Sequence, residues 1–199
     1  MSTASLDDIS PMRAWVMATR PKTLPAALIP VMVGTAVAFA QERHAWLAAA
    51  AALVGAMLIQ IGTNLANDYF DFKKGADTED RLGPTRVTQA GLIDENAVRN
   101  AMILTFALSA AVGGYLIWVG GWPIAVIGVL SILSGVAYTG GPFPLGYHGL
   151  GDVFVFVFFG LIAVTATHYV QAGEWSFVAL MASIPIGCLS VAILIVNNY

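Results

Sequence analysis

Residues 64–86 read NLANDYFDFKKGADTEDRLGPTR and concentrate charge in an otherwise apolar chain. Asp68 and Asp71 are three apart, so a helix continued through them puts both carboxylates on one face, and Asp77 and Asp80 repeat the spacing. Two acidic pairs flanked by Lys73, Lys74, Arg81 and Arg86 point to a divalent cation with an anionic ligand. Mg2+ fits best, because it takes a few carboxylate oxygens, keeps several waters and completes its shell with phosphate. The cations would bind the phosphate oxygens that the metal leaves over. An ordinary solvated loop between membrane helices also carries mixed charge, so the surrounding sequence has to decide between the two readings.

Residues 46–67, directly before this stretch, have no charged side chain and are long enough to cross a bilayer. Gln60, Thr63, Asn64 and Asn67 fall in the last turns of that run. Amides there need protein or water rather than lipid, so this helix end is expected to line a polar cavity. Asn64, four before Asp68, shares its face and is placed to orient a carboxylate or bind a water on the metal. Upstream, residues 23–41 form another uncharged run, with Pro25 near a helix start and Pro30 expected to bend the helix. The N-terminal segment opens with Asp7 and Asp8, unlike a secretory signal, and is expected to stay attached. Trp15 and Met17 among Arg13, Arg20 and Lys22 suit a short helix at the headgroup level.

Downstream, no Asp, Glu, Lys or Arg occurs between Arg99 and Asp152. That interval holds two spans, near residues 101–119 and 124–139, with Trp118 and Trp122 marking the far interface. Residues 140–151, GGPFPLGYHGLG, are too rich in glycine and proline for a helix interior. They are expected to form a loop on the same side as the acidic stretch, with Tyr147 and His148 in reach of a substrate. A fifth span is expected over residues 153–171, with His168 in an interfacial role at its far end. A sixth is expected over 175–197, kinked at Pro185.

Of the residues, 58% are hydrophobic and 11% charged, and the net charge is −3. This is the composition of a membrane protein rather than of a nucleic-acid binder. Cys188 is the single cysteine; it can form neither an internal disulfide nor a multi-cysteine metal site, and it reads as core packing. No polar linker divides residues 1–199. The expected fold is therefore all-α, a polytopic transmembrane helix bundle of about six spans in one domain. Eight of the nine basic residues fall on the N-terminal side of the membrane and only Arg43 on the other. The positive-inside rule then puts the N-terminus, the acidic stretch and the glycine-rich loop on the cytoplasmic face.

NDYFDFKKGADTEDRLGPTR, preceded by RPKTLPAALIPVMVGTA and followed by GLGD and a terminal NNY, resembles the UbiA-type membrane prenyltransferases. Within them it is most similar to the 1,4-dihydroxy-2-naphthoate branch of menaquinone synthesis. The resemblance covers the chain from Arg20 onward and implies an enzyme of the bacterial inner membrane with its active site on the cytoplasmic side. Such an enzyme transfers a polyprenyl group from polyprenyl diphosphate to 1,4-dihydroxy-2-naphthoate, with decarboxylation and release of diphosphate. It implies Mg2+ at Asp68, Asp71, Asp77 and Asp80, with Asn64, Asp68 and Asp71 as the catalytic set. Lys73, Lys74, Arg81 and Arg86 become candidate diphosphate contacts, and Tyr138 and Asp152 candidate acceptor contacts, Asp152 being equally a cap for the fifth helix. The family has about nine helices and a second aspartate motif introduced by paired asparagines like Asn197 and Asn198. The chain is accordingly expected to be C-terminally incomplete and inactive by itself. Another aromatic acceptor such as 4-hydroxybenzoate is the alternative within this chemistry. A transporter would place its charges at mid-bilayer rather than at one edge.

Overall fold

The computed structural model describes residues 9–75 and 86–198. A backbone surrounded by hydrocarbon has to satisfy its own hydrogen bonds, and each long apolar run does so as a helix. Helix α1 (Pro11–Thr19) starts with Ser10 accepting from the Arg13 amide and with Pro11 in its first turn. It ends at Arg20, whose φ of 50° is left-handed, and a 3-10 turn (Pro21–Thr23) leads into α2 (Pro25–Ala40). The two segments are bent by 50°. Helix α3 (Trp46–Lys74) runs 29 residues and stops at Gly75, where a φ of 62° ends it. Helix α4 (Glu95–Gly120) begins one and a half turns before the expected span, because Asp94 caps it through the Asn96 and Ala97 amides. Then follow α5 (Trp122–Ala137), a short 3-10 turn (Leu145–His148), α6 (Gly151–Ala172) and α7 (Phe177–Asn198). The middle of α6, Phe156–Ile162, is wound as a π-helix.

Helices α3, α4, α6 and α7 are each long and apolar enough to cross a membrane, and the bent α1–α2 pair makes a fifth span if it is taken as one. All six expected apolar runs are helical, but α2 and α5, at 16 residues each, are short of the ~20 that a straight span needs. Helix α3 is central, packing most extensively on α4 and also on α1, α2, α5 and α6. Near its acidic end, Leu65 and Ala66 pack with Ala14 and Ala18 of α1, Val98, Met102 and Phe106 of α4, and Val87 and Ile93 of the intervening turn. A smaller cluster of Ala48, Ile124 and Val170 closes the other end. The outer surface is apolar, with Trp118, Trp122, Leu133 and Val196 exposed, as a lipid-facing surface requires.

One expectation needs correction here and one needs refining. Cys188 is exposed on α7 rather than packed in the core; in a membrane helix an apolar residue is as stable against lipid as inside, so hydrophobicity does not separate the two faces. His168 lies at the far end of α6, as expected, but is fully buried there, with Nε2 2.7 Å from Gln41 Oε1. Gln41, at the end of α2, supplies the polar partner that lets a histidine sit inside the bundle. Gln41 also donates to Ser176 Oγ at 3.2 Å, and Arg43 pairs with Glu174 at 3.4 Å, so this end is joined by polar contacts. Helices α6 and α7 meet through glycine: a Cβ on Gly160 would lie 2.5 Å from the Cα of Gly187. With little hydrophobic driving force between helices in lipid, such backbone approach is how they gain contact.

Candidate functional site

The last turns of α3 assemble a polar cluster at one end of the bundle. Asn64, Asp68 and Asp71 are all buried there, at 3%, 2% and 3% exposure. Buried carboxylates need partners, and each of these has a different set. Asp68 accepts the backbone amides of Val87 and Thr88 at 3.2 and 3.4 Å. The Thr88 hydroxyl lies by the same carboxylate without hydrogen-bonding geometry, and the positive charge of Arg20 acts on it. Asp71 accepts from the Arg86 guanidinium through one oxygen and from the Tyr147 hydroxyl through the other. The turn that starts at Arg86 thus folds back under α3, supplying amides to one carboxylate and a counter-charge to the next.

Asn64 lies on the expected face but serves the entry of the chain. Its amide nitrogen donates to the Thr19 carbonyl and to Thr23 Oγ1, both at 2.9 Å, and Gln60 donates to the same hydroxyl at 3.2 Å. These bonds fasten the left-handed corner at Arg20 to α3. Lys74 is drawn to the loop after α5, donating to the Thr139 carbonyl at 2.6 Å and the Gly141 carbonyl at 3.4 Å, with its ammonium 5.5 Å from the centre of the Tyr147 ring. Lys73 turns away to Glu95 at 2.8 Å, on the exposed side of the helix. Tyr138 closes α5 with its ring against Gly146 and Gly151, near enough to feel the charges of Asp152 and Asp71. Asp152 sits exposed in the first turn of α6 and does not cap it. Asp77, Asp80 and Arg81 lie outside the described residues.

Sequence reasoning brought Asp68, Asp71 and Arg86 to one place and put Asn67 among the amides lining a polar cavity, but left out Thr139 and the Val87 and Thr88 amides. Asn67 Oδ1 accepts from the Thr139 hydroxyl at 2.9 Å, which joins α3 to the loop after α5. The backbone amides carry no signal in the sequence, since any residue has one.

Among the described residues no three His, Cys, Asp or Glu side chains converge. The donor set of Asp68 and Asp71 is nonetheless the right kind for Mg2+, which binds through one or two carboxylates and leaves the rest of its shell to water and phosphate. Both are hard oxygen ligands, one turn apart, and Arg86 stands beside them as a cation suited to phosphate. An apolar groove of about 380 Å³ between α2 and α7, lined by Pro25, Ile29, Pro30, Ile186, Leu189 and Ile193, contains none of these polar residues.

Comparison with known proteins identifies the family. The chain is 41% identical over 196 residues to 1,4-dihydroxy-2-naphthoate octaprenyltransferase of Escherichia coli, covering 96% of this chain and 64% of that protein. It is 41% identical over 185 residues to the Mycobacterium tuberculosis protein of the same name, covering 92% and 63%. To 2-carboxy-1,4-naphthoquinone phytyltransferase of Synechocystis it is 31% identical over 192 residues, covering 94% and 60%. The chain thus spans a little under two thirds of the length of these relatives. The profile of the UbiA prenyltransferase family matches residues 27–199, from the second turn of α2 through the buried carboxylates and on through α7, and the chain belongs to that family.

Proposed function

We propose that the chain belongs to an enzyme that transfers a polyprenyl group from polyprenyl diphosphate to 1,4-dihydroxy-2-naphthoate, with loss of the ring carboxylate and of diphosphate, in menaquinone synthesis. The observation that carries this reading is the buried Asp68–Asp71 pair at the end of a membrane helix with Arg86 against it. The names of the relatives supply the acceptor, and their different tails, octaprenyl and phytyl, leave the donor length to each protein.

Asp68 and Asp71, with Asp77 and Asp80 from the following stretch, are the residues proposed to hold Mg2+. When bound, Mg2+ would neutralise charge building on the departing diphosphate. The Val87 and Thr88 amides fix the Asp68 carboxylate, so that it needs no reorientation to bind. Arg86 offers a planar pair of donors to phosphate oxygens once released from Asp71. Lys74 holds Thr139 and Gly141 and so sets where the loop beside the site stands. The allylic cation left behind requires a dry surrounding with aromatic faces, and Tyr147, on Asp71, and Tyr138, close enough to feel its charge, are aromatic residues beside the site. The positive-inside pattern supports a mouth on the cytoplasmic side, and the bacterial relatives support a bacterial plasma membrane.

The test is binding of a polyprenyl diphosphate to the chain in detergent, with and without Mg2+, beside an Asp68→Asn, Asp71→Asn double variant. Binding that needs both the metal and the carboxylates is expected. Equal binding by the double variant would overturn the assignment of these residues.

A further inference from the structure

Helix α1 has two apolar faces, and only one of them is covered. Ala14 and Ala18 fall on the covered side, buried in one cluster with Leu65 and Ala66 of α3, and Met17 packs beside them. At about 100° per residue, Trp15, Thr19, Met12 and Val16 fall within an arc of roughly 100° on the other side. Met12, Val16 and Trp15 are 79%, 51% and 37% exposed there. Arg13 stands at the edge of this arc and Lys22 on the 3-10 turn that follows, both exposed. Residues 9–41 contain no Asp or Glu; Asp7 and Asp8 precede them, outside the described residues.

A bare apolar arc with cations at its rim is the pattern of a helix lying in the plane of a membrane interface. The tryptophans give an independent indication. Trp46 starts α3, Trp118 closes α4, Trp122 starts α5 and Trp175 lies in the turn before α7, all at the end of the bundle away from Asp68 and Asp71. Of the five tryptophans, Trp15 alone is at the acidic end. Tryptophan is enriched at both membrane interfaces, so α1 lies at the level of the second one. We propose that the outer face of α1 docks on the bilayer interface at the acidic end, with Met12, Trp15 and Val16 among the acyl chains and Arg13 and Lys22 on the phosphates of anionic phospholipids. The inner face holds Leu65 and Ala66, within one turn of Asp68, so this contact sets the depth at which the carboxylates stand in the membrane.

The test uses the whole chain with a nitroxide on Met12→Cys or Val16→Cys, in a Cys188→Ala background. The chain is reconstituted in vesicles of equal parts phosphatidylcholine and phosphatidylglycerol. Collisions with oxygen, which concentrates in hydrocarbon, and with a water-soluble nickel chelate report what surrounds each label. Both labels are expected to meet oxygen in preference to nickel. A preference for nickel would put the face in water, and few collisions with either would mean that protein covers it, a second copy included; both results overturn the docking. The lipid class is read from spin-labelled phosphatidylglycerol and phosphatidylcholine competing for the unlabelled protein. Replacing Arg13 and Lys22 together by Gln is expected to lower the preference for phosphatidylglycerol about three- to fivefold, while Arg13→Lys with Lys22→Arg should keep it. An unchanged preference in the Gln double variant would overturn the assignment to anionic lipid.

Discussion

Replacing Arg86 by Met tests whether the site is organised around a buried ion pair. The Arg86 and Asp71 side chains are only 7% and 4% exposed. Met keeps much of the volume but takes the guanidinium away from the Asp71 carboxylate. Breaking a buried pair from one side costs about 3–5 kcal/mol. The Tyr147 hydroxyl still holds one oxygen of Asp71, so the lower end, about 3 kcal/mol, is expected. Adding Asp71→Asn removes the carboxylate that lost this guanidinium and should recover about 2 kcal/mol of this, a coupling within the usual range for residues in contact. Unfolding by sodium dodecyl sulfate in mixed micelles, followed by far-ultraviolet circular dichroism, measures all three variants on one scale. The reasoning is refuted if Arg86→Met costs less than about 1 kcal/mol, or if the double variant loses the sum of the two single ones.

Other perturbations separate positioning from ligand binding. Asn64→Ala removes the bonds to Thr19 and Thr23 and should cost about 1–3 kcal/mol in the same titration. Gly160→Val forces α6 away from the Gly187 backbone, and a loss of about 1–3 kcal/mol is expected; an unchanged midpoint would show that the helices separate freely there. Lys73→Ala disrupts an exposed pair with Glu95 and should leave both the unfolding midpoint and Mg2+-dependent diphosphate binding unchanged.

The sequence was informative wherever the signal was local. Uncharged runs located the helices, the glycine-rich loop was visible as composition, and the spacing of Asp68 and Asp71 put them on one face. What a carboxylate bonds to depends on where distant segments travel, and no local pattern encodes that. Arg86 had the right charge for phosphate, yet its position on Asp71 follows from the fold of the turn over residues 87–93. Lys73 and Lys74 are adjacent in sequence but point about 100° apart on a helix, so one meets Glu95 and the other the α5–α6 loop. Asn64 was read from its face, correctly, but the chain entry competes for that face, and the Arg20 corner occupies its donors. The earlier start of α4 came from Asp94, a cap residue preceding the apolar run.

The order in which the partners of Asp71 are synthesised has a consequence for biogenesis. Helix α3, at 29 residues, exceeds the ~20 needed to span the hydrocarbon. The membrane can therefore accept it while its last turns, with both carboxylates, still stand in water. Arg86 follows Asp71 by 15 residues and Tyr147 follows it by 76. At ~5–20 residues per second the phenol arrives ~4–15 s after the carboxylate, whereas the guanidinium arrives within ~3 s. The nascent chain thus neutralises its buried acid almost at once, and adds the loop only after two further helices have been made.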